Sequence, residues 1–429
     1  MVNKYLLDKY YDGSKKWVPT LIFCTLFFLS YLPPKLLPFK VSTWYIFLSC
    51  SLFIYFIGNY RINVSSVKFL IIILSFHLFG AFTGVFNSYD FSLAFRGFLG
   101  LCIQAVTYIT FLPLMSSPFL RRCFLGVIIL VSLIWVFEIF IIRSSVAFMS
   151  YSTFGKATGA NKNWVSFLLA VSSITCLYFA IFTNNKTRFK IVSRYLFSSR
   201  IIFLLLSIII FFSQALLYSK SSFLTYSLGL VIIICLIIAK SDYKIISIKV
   251  LSVFSVLFFA IYGLSSTILK TAPGIIVMYE KIKHSEREEL FVGRQFLIKK
   301  GLELIKNNPI IGIGIGGSKA RTPEGDYSDK SAHIHNAYLT EWVDKGIFGL
   351  IAYIVWIVIY LNFFKKNYNI LTTTDKAWMI INGMTFFHLN FKDMNSFAFI
   401  MLITFCGIKN NYEQIVYFQK KIQKNDLNL

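Results

Sequence analysis

The residues best suited to do chemistry in this sequence lie between Gly293 and Gly349. His335 is followed by Asn336, and His333 stands two positions earlier. Imidazole is the side chain best matched to take a proton from a hydroxyl near neutral pH. Taken alone, His335 with Asn336 reads first as a satisfied surface histidine, with a general base as the alternative; His333 would orient the second imidazole or be incidental. A metal reading of the two histidines has no third ligand at a clear spacing. Upstream, Gly293-Arg294 leads into an amphipathic run, then Gly312-Ile313-Gly314-Ile315-Gly316-Gly317, with Lys319 and Arg321 beyond it. Glycines let backbone N–H groups approach an anion closely, and the following cations add charge. The competing reading of the glycines is a tight turn near a membrane surface.

The run satisfies a G-x-G-x-x-G pattern at Gly312, Gly314 and Gly317, but nothing around it offers the strand–turn–helix context of a dinucleotide site. Gly317-Ser318-Lys319 also lacks the order of a phosphate-binding P-loop. Neither a serine nucleophile framework nor a carboxylate pair at a defined spacing is present, so a hydrolase is not favoured.

These residues must be positioned by elements that are mostly hydrocarbon. Of 429 residues, 56% are hydrophobic and 14% charged, with 46 phenylalanines. Soluble domains average about 25% charged residues, so the composition is that of a polytopic membrane protein. The net charge of +24 does not indicate nucleic acid, because Lys and Arg sit singly or in small clusters between apolar runs. All seven cysteines fall in or at the ends of apolar runs, without metal-ligand spacing or a disulfide framework.

A helix crossing the membrane needs roughly 20 mostly apolar residues. The sequence predicts an all-α bundle of about twelve spans, near 17–33, 41–58, 68–86, 95–114, 123–142, 164–183, 200–217, 222–239, 247–267, 346–364, 377–391 and 394–408. The first run follows Lys15-Lys16 and lacks a small-residue cleavage site, so it reads as a retained helix. Basic residues favour alternate connections, which places both termini in the cytoplasm and the long connection outside. Residues 1–267 then form an N-terminal transmembrane bundle, and 268–345 form a large periplasmic loop carrying the chemistry and short amphipathic helices. Residues 346–429 hold the last spans and a cytoplasmic tail. Within the loop, Arg294 to Asn307 alternate with helical period and end at Asn308-Pro309. Lys220 lies in the short outward turn Tyr218-Ser219-Lys220-Ser221-Ser222. A cation at that depth is either functional or snorkels to the interface.

Taken together these pieces resemble the O-antigen ligase and O-antigen polymerase superfamily of bacterial membrane glycosyltransferases. The resemblance is carried by Gly293-Arg294, by Asn308-Pro309-Ile310-Ile311-Gly312-Ile313-Gly314, and by His335-Asn336-x-x-Leu339. The spacing from His335-Asn336 to Gly346-x-x-Gly349 is of ligase type, and Asp344-x-Gly346 resembles the acidic-x-Gly before the next span. Thr158-Gly159-Ala160-Asn161 resembles an upstream turn of the family. Ser219-Lys220-Ser221 falls where the family commonly has Ser-Arg or Thr-Arg. Lysine there keeps the charge but loses the bidentate geometry that suits phosphate.

The resemblance implies a reaction: a glycan moves from undecaprenyl pyrophosphate to a hydroxyl of an acceptor saccharide at the periplasmic face of the bacterial inner membrane. It implies inversion without metal or other cofactor. His335 would be the general base and Arg294 a catalytic cation. Lys220, Arg321, Lys319 and Asn336 would bind pyrophosphate or sugar, with His333, Gly312 and Gly314 in support. The acceptor would be lipid A-core for a ligase or a second lipid-linked glycan for a polymerase; the His-x-His-Asn arrangement leans to the ligase. A flippase or transporter for lipid-linked sugars would predict ionisable residues at mid-span, and those are few: His77, Glu138 and His388.

Overall fold

The computed structural model describes residues 64–139, 162–182, 199–217, 219–239, 286–317, 336–390 and 400–413, with single residues at 24, 25, 28, 334 and 398. Among the described residues the architecture is entirely helical. Helix α1 spans Val64–Phe86, α2 Phe91–Met115 and α3 Pro118–Phe137. They are followed by α4 Lys162–Phe182, α5 Ser199–Leu216 and α6 Lys220–Ala239. Helix α7 spans Glu286–Asn307, α8 Ala337–Asn367 and α9 Thr373–His388, and residues 400–413 are also helical.

Six of these helices are long and apolar enough to cross a membrane, which makes the chain a polytopic helical membrane protein. They correspond to the spans expected near 68–86, 95–114, 123–142, 164–183, 222–239 and 346–364. Helix α5 adds a shorter apolar segment, Arg200–Gln214. The spans expected near 41–58 and 247–267, and nearly all of that near 17–33, lie outside the described residues. Large apolar side chains such as Phe79, Phe82, Leu99, Ile103, Val358 and Leu361 face outward, as hydrocarbon surroundings require.

Helix α4 is the centre of the packing. It touches α3, α5, α6 and α9 and is almost wholly buried. Small hydroxyls let its neighbours approach. Ser173 and Ser207 each donate to the other's carbonyl at 2.9 and 2.8 Å, tying α4 to α5, and the Ser132 and Ser172 hydroxyls meet at 2.6 Å between α3 and α4. Such bonds between helices contribute about 0.6 kcal/mol on average, so they set register more than stability.

One end of the bundle is closed by a buried ion pair. Arg121, on α3, donates from Nε to Asp375 Oδ1 at 2.8 Å and from Nη1 to the Met115 carbonyl at 2.6 Å. Thr372 caps α9 and Tyr412 donates to the same carboxylate. Arg121 therefore serves as a structural tie as well as a basic residue at a span end.

Candidate functional site

Helix α8 starts where the sequence places the His-Asn dipeptide. Asn336 is extended (φ −141°, ψ 112°) and is the N-cap, its side-chain oxygen accepting the Leu339 N–H at 3.1 Å. The Ala337 N–H donates to the Leu389 carbonyl at 2.9 Å, and the Tyr338 hydroxyl donates to the Phe386 carbonyl at 2.8 Å. The start of α8 is thus tied to the end of α9.

The helix is not one rod. Gly346 has φ 65° and ψ −162°, a conformation that costs any residue with a Cβ. The chain folds back there: the rings of Tyr338 and Tyr353 meet edge-on at 5.4 Å, whereas a straight helix would separate them by roughly 22 Å. Residues 337–345 form a short first segment, and the apolar span begins after Gly346, as the sequence predicts. The first segment lies within 268–345, the stretch expected to be a periplasmic loop.

The glycine run closes on this fold-back. The last carbonyls of the first segment have no helical partner beyond a break and must be satisfied elsewhere. Ile313 N–H donates to the Val343 carbonyl at 2.9 Å, Gly314 N–H to the Asp344 carbonyl at 3.0 Å, and Gly316 N–H to Asp344 Oδ2 at 3.2 Å. In return Ile347 N–H donates to the Ile310 carbonyl at 3.2 Å. A Cβ on Gly312 would sit 2.5 Å from the Asp344 carbonyl, and one on Gly346 would sit 2.0 Å from that of Ile310. The contact is backbone against backbone. Of the two sequence readings of the glycines, the described geometry is that of a turn, with the N–H groups of Gly314 and Gly316 directed at protein oxygens. From the α1–α2 turn, Asn87 Nδ2 donates to Asn308 Oδ1 at 2.9 Å and to the Gly312 carbonyl at 3.3 Å.

Helix α7 packs on the same structure. Ile305 joins Ile313, Ile334 and Val343 in a small apolar cluster, with Leu304, Leu339 and Trp342 against it, and Gly301 faces the Ile334 side chain. The burial of Gly301 and Ile305 and the exposure of Lys299, Glu303 and Lys306 match the amphipathic pattern of the sequence. Helix α6 reaches this end from the other side. Ser222 donates to the Asn163 carbonyl at 3.2 Å, and Thr225 Oγ1 lies 2.9 Å from His388 Nδ1. The Thr225 proton goes to the Ser221 carbonyl at 2.8 Å, so the imidazole Nδ1–H donates to Thr225. Phe167 of α4 stacks on His388 at 4.2 Å. The first turns of α4, α6 and α8 and the last turn of α9 therefore meet at one end of the bundle.

Of the residues the sequence singles out, Asn336, Gly312 and Gly314 are described and sit at this end. Lys220 opens α6 and Arg294 lies on α7, but their side chains are outside the described residues. So are His333, His335, Lys319 and Arg321 in full.

The sequence reading missed a buried polar cluster beside the fold-back. Glu341 Oε2 lies 2.5 Å from Lys345 Nζ and 3.0 Å from His77 Nδ1, and Lys345 Nζ is 3.3 Å from the same imidazole nitrogen. The side chains of His77, Glu341 and Lys345 are 2%, 2% and 5% exposed, so these charges are compensated by each other rather than by water. Its signal was an i, i+4 Glu–Lys pair in the segment before Gly346 and a lone histidine within an apolar run.

In comparison with known families, residues 201–354 fit the family model described as O-antigen ligase. The match starts in α5 and ends in α8, so it contains α6, α7, the glycine run and His335-Asn336. No protein of curated function matches the chain.

Proposed function

We propose, from the O-antigen ligase domain at residues 201–354, that this chain is a membrane glycosyltransferase of the ligase type. Its donor is a glycan on undecaprenyl pyrophosphate, and its acceptor is a saccharide hydroxyl of lipid A-core on the periplasmic face. The observation that carries this reading is the coincidence of that domain with the end of the bundle where α7, the glycine run and the start of α8 pack together and α6 is linked to α8 through the end of α9.

In this reading His335 takes the proton of the acceptor hydroxyl. The oxygen attacks the anomeric carbon from the face opposite the leaving group, the bond to pyrophosphate breaks, and the new glycosidic bond has inverted configuration. Negative charge grows on the departing pyrophosphate, and preorganised cations stabilise it in the transition state. Arg294 is the principal one, its planar fork suiting two phosphate oxygens. Lys220 contributes a point charge from the first turn of α6, with Lys319 and Arg321 beyond the glycine run. His333 supports the base. Asn336 caps α8 with its side-chain oxygen, which fixes the backbone entering the helix; any sugar contact is left to its amide nitrogen. Gly312 and Gly314 act through the fold-back rather than on the substrate.

The polymerase reading, joining lipid-linked repeat units, shares the His-Asn dipeptide and the glycine run. The His-x-His-Asn arrangement favours the ligase. Deleting the gene and resolving lipopolysaccharide on a gel separates them: a ligase mutant makes core-only lipid A with long chains left on the carrier. A polymerase mutant makes lipid A capped with one repeat unit, and an unchanged ladder contradicts both.

A further inference from the structure

The buried cluster of His77, Glu341 and Lys345 joins three segments. His77 comes from α1, and Glu341 and Lys345 come from the first segment of α8. The ring of His77 also meets Tyr353 of the second segment edge-on at 5.5 Å, and Tyr353 in turn meets Tyr338 at 5.4 Å. With a neutral imidazole the cluster has no net charge. The shorter contact, to Glu341, makes Nδ1–H the donor to the carboxylate.

A buried ion pair is weak evidence for stability, because desolvation offsets most of the attraction. Its best-attested use is to select one arrangement among several apolar ones of similar energy. Residues 337–345 need such selection. A helix this short is marginal by itself; hydrogen bonds at Ala337, Tyr338, Trp342, Val343 and Asp344 tie it to the end of α9 and to residues 309–316, and the apolar contacts with Ile334, Ile305 and Ile313 cover one side. The charged contacts set the face turned to α1, because Glu341, paired with Lys345 on the adjacent turn, accepts from the His77 imidazole.

We propose that His77, Glu341 and Lys345 are positioning residues for glycan transfer. The cluster holds the first segment of α8 in one orientation against α1, and with it the Asn336 cap and the chain that enters it. This inference rests on the transferase reading above for its catalytic consequence, though not for its structural one.

The test uses the full chain in liposomes with an undecaprenyl-pyrophosphate-linked glycan and lipid A-core, comparing Glu341→Gln, Lys345→Met and the charge-free double variant. Misplacing a catalytic group by about 1 Å can cost roughly 10²-fold. Each single variant is therefore expected to lose kcat on that order while KM for the donor stays within about twofold. Amide exchange should accelerate in 337–345 and stay unchanged around Arg121 and Asp375. The double variant leaves no unpaired charge, so its melting temperature should return towards that of the parent while kcat stays low. Parental kcat in Glu341→Gln overturns the proposal. So does a kcat that recovers with melting temperature in the double variant, since the cluster would then only support the fold. If the parent protein transfers no glycan, the transferase reading fails, and exchange still decides: acceleration confined to 337–345 upholds the positioning role, and unchanged exchange or acceleration throughout the chain overturns it.

Discussion

The rings of Tyr338 and Tyr353 touch edge-on, 5.4 Å between centroids, although roughly four helical turns separate them within α8. This contact exists because the chain reverses at Gly346. The reversal turns the residues after His335-Asn336 into a short helix packed against the span that follows. Three features at this end of the bundle support that arrangement: the cap at Asn336, the glycine run against Val343 and Asp344, and the ties from α9 to Ala337 and Tyr338.

Gly346→Ala should be severely damaging. A Cβ there meets the Ile310 carbonyl at 2.0 Å in a backbone conformation that alone costs about 1–3 kcal/mol. Thermal unfolding in detergent should show a lowered midpoint, and glycan transfer should be lost. Gly100→Ala, where an added Cβ meets nothing within 4 Å, is the control and should change neither.

Asp375→Asn should destabilise without touching the chemistry. Breaking a buried ion pair by removing one partner costs about 3–5 kcal/mol, and Arg121 and Asp375 are 0% and 2% exposed. Chemical denaturation should register the loss. Transfer per folded molecule should remain at the parental level, because this pair lies at the end of the bundle opposite Asn336.

Much of the bundle was legible in the sequence because long apolar runs leave little choice of structure. The onset of the span at Gly346 was legible too, since a polar stretch gives way to hydrocarbon there. The helical state of 337–345 was hidden for the same reason: Glu341, Asp344 and Lys345 read as loop polarity, although all three are buried. Their partners come from elsewhere in the chain, from His77 on α1 and from the Gly316 N–H. Local periodicity cannot reveal a charge satisfied across such a distance. The glycine run carried an equal ambiguity. Composition does not say whether the glycine N–H groups approach an anion or a carbonyl. Arg121 illustrates the limit of topology rules, which count its charge and cannot foresee its pairing with Asp375.

If Lys220 contacts the pyrophosphate, charge matters there more than shape. Lys220→Arg should keep transfer, and Lys220→Ala should reduce kcat with the protein still in the membrane. Arg294→Ala should abolish transfer. Steady-state rates at saturating donor in purified, reconstituted variants make the comparison. A Lys220→Ala variant with the parental kcat would remove this residue from the mechanism.

The most direct measurement is transfer by reconstituted His335→Ala. Liposomes holding the pure chain, an undecaprenyl-pyrophosphate-linked glycan and lipid A-core should yield glycosylated lipid A with the parent protein. The His335→Ala variant, present in equal amount and equally folded, should yield none. Full transfer by that variant would contradict the assignment of His335 as the base on which the account turns.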